Sequence, residues 1–458
     1  MLGGVSSAAP SRPHSNLALE SSDAKLVESF NWARTQALAY AFTGDPVGDW
    51  YEASLPGRSA FCMRDVSHQA MGAQVLGLAD STRNMLRRFA ENVSDSKDWC
   101  TYWEIDKWNR PAPVDYKNDK DFWYNLPANF DILNCCWRMF LWTANETYIN
   151  DPVFLNFYDR TVHDYVKRWD KDGDGIPESR REYGHRGIGS YDEDLQVHVK
   201  VGSDLIAAQI AAYRAYAAIQ HVRGNAAQAA SFNAKAGRLA THYNRKWWDP
   251  ANQCYYKAML QDGTLRSSPN GAISELWFDV AEPGVKTQRA LDLLKGENIE
   301  VLSYFPEIAY RYGRDESAYR MLLRLTDPNT KRRDYPEVSF AMIGAIAEGM
   351  MGLRPDARSR TIESTSHLTP ATEWAALKNV PVFDNEITLR HTALTATSLT
   401  NQTGGPIHWK ACIPGKHRVL LVNGRQQPAD AGTMPGGAPE SHLLLRLGPG
   451  ETANVQIP

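Results

Sequence analysis

The stretch Pro336–Met351 (PEVSFAMIGAIAEGMM) limits the fold more than any other part of the chain. It is apolar almost all round, and a helix of that kind has to be walled by other helices. A double ring of helices supplies that setting: inner helices are buried on every side and outer ones on one. The preceding sequence has the matching texture. From about Asp23 to about Met351 the apolar residues recur at spacings of three and four, the period of amphipathic helices. Phe130, Leu133, Trp137 and Phe140 share one predicted helix face after the Asn125–Pro127 turn. Asp151 and Pro152 read as a cap and a first-turn proline for a second, with Phe154, Phe157, Thr161, Tyr165 and Trp169 on its face. Ser203 reads as the cap of a third, bearing Ile206, Ile210, Tyr213 and Ala217. Asn225 opens a fourth with Phe232, Ala236, Leu239 and Tyr243. The helices come in consecutive pairs with short turns inside a pair and long irregular loops between pairs. No βαβ alternation occurs, which excludes a parallel-sheet enzyme.

Beyond His367 the texture changes to short β-type runs at Glu386–His391, Ile407–Cys412, Arg418–Val422 and His442–Arg446. Turn residues such as Gly404-Gly405 and Asn423-Gly424 separate them. They predict a small sandwich-like β domain that packs on the helices, because no low-complexity linker intervenes. At the other end, Met1 to about Ser22 is polar and rich in Ser, Ala and Pro without a signal-peptide core, and reads as a disordered leader. Localisation stays open between the cytoplasm and export with that leader removed. The net charge of −3, with 22% charged residues, argues against a nucleic-acid or anionic-membrane partner. No apolar run approaches the roughly 20 residues of a membrane span. The six cysteines form no CxxC pair, against both a disulfide scaffold and a zinc site. Nothing in the sequence points to an organic cofactor, and the oligomeric state cannot be read from it.

The loop from Asp170 to Asp194 (DKDGDGIPESRREYGHRGIGSYDED) concentrates carboxylates, arginines and glycines between two helices. A loop this acidic repels itself unless a cation, basic side chains or a substrate compensates it. Asp170, Asp172 and Asp174 with Gly175 follow the first half of an EF-hand loop, with hard oxygens alternating around a glycine turn. The match fails at the twelfth position, Arg181, so Glu178 or Glu182 has to complete the cage. The reading is a structural calcium site; the alternative is a turn held by its own hydrogen bonds.

A helical region with a DxDGDGxPE loop, a Ser190-Tyr191-Asp192 tail and then an alanine-rich helix resembles the six-hairpin glycosidases. These include amylo-1,6-glucosidases, processing α-glucosidases and bile-acid-type β-glucosidases. Three further stretches carry the resemblance. Phe61–Asp65 (FCMRD) is similar to the Arg-Asp pair that opens an early inner helix and holds sugar hydroxyls. Asn244–Asp249 (NRKWWD), followed by Cys254, Tyr255 and Tyr256, is similar to a recurrent helix-end and aromatic-strand element. Tyr335–Glu337 before the apolar helix is similar to the late active-site glutamate. The resemblance implies a mainly α fold: an (α/α)6 barrel at residues 23–367, then a small antiparallel β domain at 368–458. It also implies a glycoside hydrolase acting on a carbohydrate by paired carboxyls.

Two acids carry that chemistry in this reading. Asp192 takes the place of the proton donor, and its neighbours Glu193 and Asp194 raise its pKa by like-charge repulsion. Glu337 is the base of an inverting, exo-acting enzyme, because a first-turn glutamate is favoured in its ionised form by the helix N–H groups. Glu52 is the candidate nucleophile of a retaining alternative, and Glu104 is a third candidate acid. Arg64, Asp65 and His68 fall on one helix segment after the apolar Phe61–Met63 and suit sugar diols. Trp103 and Trp108 flank Glu104 in a loop, where large aromatics suit stacking on a pyranose face. The alternatives on the same barrel are a phosphorylase, an unsaturated uronyl hydrolase or a polysaccharide lyase. Phosphorolysis needs an anion pocket where Glu337 stands, and a carboxylate there disfavours it. The alternative of another class is a non-catalytic glycan-binding protein, which has no need of an aspartate cluster beside its cleft.

Overall fold

The computed structural model describes residues 13–458 apart from 180–181, 183, 193–198, 268–272 and 296–297. Helices follow one another as the apolar spacing predicts: α1 (Ala24–Ala39), α2 (Met63–Val75) and α3 (Ala79–Glu91). Next come α4 (Pro127–Thr143), the short α5 (Thr147–Asn150) and α6 (Pro152–Asp159). A π-helical turn at Arg160–Tyr165 joins α6 to α7 (Val166–Trp169). After the acidic loop run α8 (Ser203–Val222), α9 (Ala226–Lys246), α10 (Ser274–Trp277) and α11 (Val285–Asp292). The series closes with α12 (Ile299–Leu302), α13 (Phe305–Arg311), α14 (Asp315–Thr326) and α15 (Pro336–Gly344). A π-helical segment, Ala345–Met350, prolongs α15.

The helix ends follow local chemistry. Asp23 caps α1 by accepting from the Lys25 and Leu26 N–H groups, and Asp151 caps α6 by accepting from Val153 ahead of Pro152. Ser203 is a correction: it is the first residue of α8, and Gly202 before it caps without a side-chain bond. A Cβ on Gly202 would stand 2.1 Å from an Asp204 carboxylate oxygen and 2.8 Å from the Gly189 carbonyl oxygen, so a side chain there would push on the Gly189–Ser190 segment.

Helices buried on nearly every face alternate along the chain with helices buried on one. Every residue of α15 is buried, and all of α2 except Arg64. In α14 only Ala318, Leu322, Leu325 and Thr326 are buried, and in α9 only Ala229, Phe232, Ala236 and Tyr243. The buried helices pack on one another, α15 against α2, α2 against α4, α4 against α8 and α8 against α10. Among these contacts the approach of α2 to α15 is very close. A Cβ added to Gly72 would sit 2.1 Å from the Phe340 carbonyl oxygen. Overpacking of this kind costs about 1–3 kcal/mol or more. That approach sets the first turn of α15 beside the first turns of α2.

The C-terminal region forms two sheets. A seven-stranded sheet runs Ala18–Ser21, Trp374–Val382, Asn385–Thr392, Ala396–Asn401, Thr452–Gln456, Val419–Val422 and Arg425–Pro428. A five-stranded sheet runs Arg354–Asp356, Thr361–Thr365, Ile407–Pro414, Pro439–Leu447 and Asp430–Thr433. Pairing is antiparallel throughout except between Thr361–Thr365 and Ile407–Pro414, which run parallel. Two boundaries move from their predicted places. The leader was expected to stay disordered to Ser22, yet Ala18–Ser21 pairs along Trp374–Val382 and buries Leu17 and Leu19. The β region opens at Arg354 rather than after His367. It docks on the helices through backbone and ring bonds, Phe383 N–H to the Trp142 carbonyl (2.8 Å) and His391 Nε2 with the Met351 carbonyl (3.1 Å). No helix among the described residues is long and apolar enough to cross a membrane.

Candidate active site

Arg64 and Asp65 lie in the first turn of α2, with Arg64 Nε 3.6 Å from Asp65 Oδ1. Burial pushes the Asp65 carboxyl up, and the Arg64 charge opposes it. One turn on, the His68 ring lies flat against Tyr304 (centroids 3.6 Å apart, planes at 6°). Trp277 of α10 meets His68 edge-on at 5.5 Å and Tyr304 edge-on at 4.8 Å. Three rings thus form a dense aromatic wall. Burial, then the positive charges of Arg64 and Arg138, bring His68 down to about 3, so its imidazole is neutral at physiological pH. Its Nδ1 is buried without a hydrogen-bond partner.

Glu337 stands in the first turn of α15, 6% exposed, and its Oε1 has no hydrogen-bond partner. With the Gln69 amide oriented to satisfy both neighbours, its oxygen accepts from the Glu337 N–H and its nitrogen donates to the Glu52 carbonyl. Burial, then the adjacent Asp65 charge, pushes the Glu337 carboxyl up to about 8, with Arg64 opposing. The helix N-terminus was expected to keep this group ionised. Desolvation and the Asp65 charge oppose that effect and bias the carboxyl toward its protonated form.

Asp131 of α4 faces the same space. It accepts from the Tyr191 hydroxyl (3.2 Å), and burial pushes it up to about 7. The Tyr191 ring centroid lies 5.8 Å from the Arg64 guanidinium and 6.2 Å from the Trp103 ring. Asp192 follows immediately, half-buried, and its carboxylate forms an ion pair with Lys257 on the strand Cys254–Leu260. Glu193 and Asp194, expected to raise its pKa, lie outside the described residues.

The other expected acids have local partners. Glu52 accepts from the Ser59 N–H (3.0 Å) and steadies the 57–59 loop. Glu104 bonds Arg58 (2.8 Å). Burial, then Asp115, pushes it up to about 8. Trp103 is half-buried, and its carbonyl accepts from the Met63 N–H at the start of α2. Trp108 is 51% exposed, beneath Lys107 and Arg110.

In the acidic turn, carboxylate oxygens of Asp170, Asp172 and Asp174 lie within 4.8 Å of one another. Asp170 accepts from the Gly173 and Gly175 N–H groups (2.8 and 2.9 Å), so the turn also holds itself. Glu178 does not join the three; it bonds Lys200 (2.6 Å), which also pairs with Asp172 (3.0 Å). Lys200 holds the Asp172 carboxyl below its usual range. Burial and the charges of Asp172 and Asp170 push Asp174 the other way, a bias that a bound cation would reverse.

Sequence reasoning missed Asp131, Trp277 and Tyr304. Asp131 left a signal, a lone acid between Phe130 and Ile132 on a helix buried from Pro127 to Leu133. Trp277 ends the four-residue α10 and Tyr304 precedes the seven-residue α13, helices too short for spacing to reveal a face.

No family model matches this sequence, and no curated protein does. Solved structures match its fold. The GH78-family rhamnosidase of Bacillus sp. GL1 superposes with a TM-score of 0.61 at 15% identity, covering 86% of this chain and 41% of that one. An α-L-rhamnosidase from Dictyoglomus thermophilum gives 0.60 at 14%, covering 98% and 50%. A putative kojibiose phosphorylase from the human microbiome gives 0.56 at 9%, covering 95% and 67%. The chain spans half or less of the length of the two rhamnosidases. It has the fold of these glycosidase-type proteins, as the motif resemblance implied.

Proposed function

We propose that the protein is an exo-acting glycoside hydrolase built on an (α/α)6 barrel. Helices α2, α4, α8, α10, α13 and α15 form the inner ring in this reading, and α1, α3, α6–α7, α9, α11 and α14 the outer. The observation that carries the functional reading is Glu337. It is a buried carboxyl with a free oxygen, set beside the Arg64–Asp65 pair and the His68–Tyr304–Trp277 wall. Such a wall suits the C–H face of a pyranose, and the polar groups suit its diols.

Hydrolysis needs one carboxyl to protonate the leaving oxygen and another to activate water or attack the anomeric carbon. Asp192 is the donor and Glu337 the base of an inverting reaction, with Arg64, Asp65, His68 and Asp131 gripping the sugar. In the unliganded protein Lys257 pairs with Asp192, and burial biases Glu337 toward its protonated form. A leaving group that displaces Lys257 brings the Asp192 carboxyl onto the glycosidic oxygen, while Arg64 stabilises the ionised Glu337. A structural calcium at Asp170, Asp172 and Asp174 belongs to the same proposal, acting on the loop and not on the reaction.

A panel of aryl glycosides and oligosaccharides, followed by NMR for the first-formed anomer, tests this. Release of a single sugar with inverted configuration is expected. Retained configuration would hand the second role to another acid, and saturable binding without release would make the protein a glycan binder.

A further inference from the structure

The segment Gly189–Asp192 is fixed at every residue by groups outside it. The Gly202 N–H donates to the Gly189 carbonyl (2.7 Å), and Asn125 Nδ2 donates to the Ser190 carbonyl (2.5 Å). Asp204, buried in the first turn of α8, takes two bonds on one oxygen. Its Oδ2 accepts from the Ser190 hydroxyl (3.1 Å) and from the Tyr191 N–H (2.5 Å). Its Oδ1 accepts from the Leu205 N–H at 2.9 Å. The Ser190 hydroxyl oxygen in turn accepts from the Asp192 N–H at 3.0 Å. A chain of hydrogen bonds therefore runs from the base of α8 to the backbone of Asp192, while the Tyr191 hydroxyl is held by Asp131 at 3.2 Å.

We propose that Asp204 is a positioning residue for Asp192: it orients the Ser190–Tyr191 backbone so that the Asp192 carboxyl meets the leaving-group oxygen. This rests on the hydrolase reading above. The chemistry requires an acceptor-only group at this place. Three donors converge on Asp204, and a carboxylate satisfies all of them, whereas an amide turned either way sets its NH2 against at least one. An unsatisfied buried donor is costly, so the segment shifts rather than tolerate it. A displacement of about 1 Å at a reacting group can cost about 10²-fold in rate.

The test is a double-mutant cycle on an aryl glycoside with a poor leaving group, reading kcat and KM separately. Asp204→Asn is expected to lower kcat about 10- to 100-fold with KM changed less than about threefold. In an Asp192→Asn background the same substitution is expected to add less than about twofold, because the group it positions is already gone. Should Asp204→Asn fail to fold, Ser190→Ala cuts the same chain of bonds and carries the same cycle. Full activity in folded Asp204→Asn, or losses that multiply in the double variant, would overturn the proposal while leaving the hydrolase reading standing. Wild-type turnover in Asp192→Asn would instead remove that reading, and with it the role of Asp204.

Discussion

Two acidic regions of this molecule use the same side chains in opposite ways. Around α2, α4 and α15 the carboxyls of Asp65, Asp131 and Glu337 are buried, and burial pushes each of them up. In the 170–174 turn Asp170 is half-buried and Asp172 and Asp174 are exposed; Lys200 holds Asp172 down, while partial burial and its acidic neighbours push Asp174 up. Burial without a full set of partners makes a carboxyl hold its proton, whereas pairing at the surface makes it shed one. Carboxyl density along the chain pointed first to the loop. The features that suit chemistry are concentrated in the other region, where Glu337 Oε1 and His68 Nδ1 have no hydrogen-bond partner and the His68 ring stacks on Tyr304. Asp192 links the two, since it sits at the loop's end and beside the Tyr191 that reaches Asp131.

The sharpest break between the regions should come at that link. Asp192→Asn keeps the shape and removes the donated proton, so turnover is expected to fall about 10²-fold or more while substrate still binds. The loss should shrink on substrates with good leaving groups, which need less protonation. If Glu337→Gln shows that leaving-group dependence and Asp192→Asn does not, the two roles are exchanged.

The next effect is on stability against pH. Carboxyls whose folded pKa is raised contribute stability below their ordinary range and lose it as pH climbs through the folded value. With Asp131 pushed up to about 7 and Glu337 to about 8, the melting temperature should fall between pH 6 and pH 9. Glu337→Gln should flatten that fall. Asp172 has the opposite sign: its pairing with Lys200 is present above the ordinary carboxylate range and lost only as pH drops below about 4. A melting temperature that climbs steadily to pH 9 would contradict the picture of buried protonated acids.

The smallest effect concerns metal. If the turn binds calcium, chelation should lower the melting temperature by a few degrees and added calcium restore it, since a ligand of the folded state alone stabilises that state. Lys200 already neutralises part of the site, which limits the gain. A flat melting temperature across millimolar calcium would leave the turn held by its own hydrogen bonds.

Much of the architecture was legible because helix burial leaves a period in the sequence. The all-round apolar run of α15, the one-face pattern of α9 and the Asp151-Pro152 start of α6 all appear where spacing places them. The four β runs also appear as strands. The strand Ala18–Ser21 was not legible, because a short polar edge strand carries no pattern apart from its partner. Within the site, Arg64, Asp65, His68 and Glu337 were named, but the burial that pushes the Glu337 carboxyl up was not legible. A helix-start rule reads one turn of chain, whereas desolvation depends on which distant segments pack around it. The Asp204 anchor was invisible for the same reason, since its partners lie at Ser190 and Tyr191 across a loop.

The most direct test sets the two regions against each other on one substrate. Glu337→Gln and a triple Asp170→Asn, Asp172→Asn, Asp174→Asn variant would be compared with the wild type for turnover of a glycoside that it cleaves, each shown to be folded at the assay temperature. Glu337→Gln is expected to lose about 10²-fold or more at constant melting temperature near pH 6. The triple variant is expected to keep turnover within about threefold while its melting temperature falls. Wild-type turnover in Glu337→Gln together with loss of activity in a folded triple variant would move the chemistry to the loop and contradict the account.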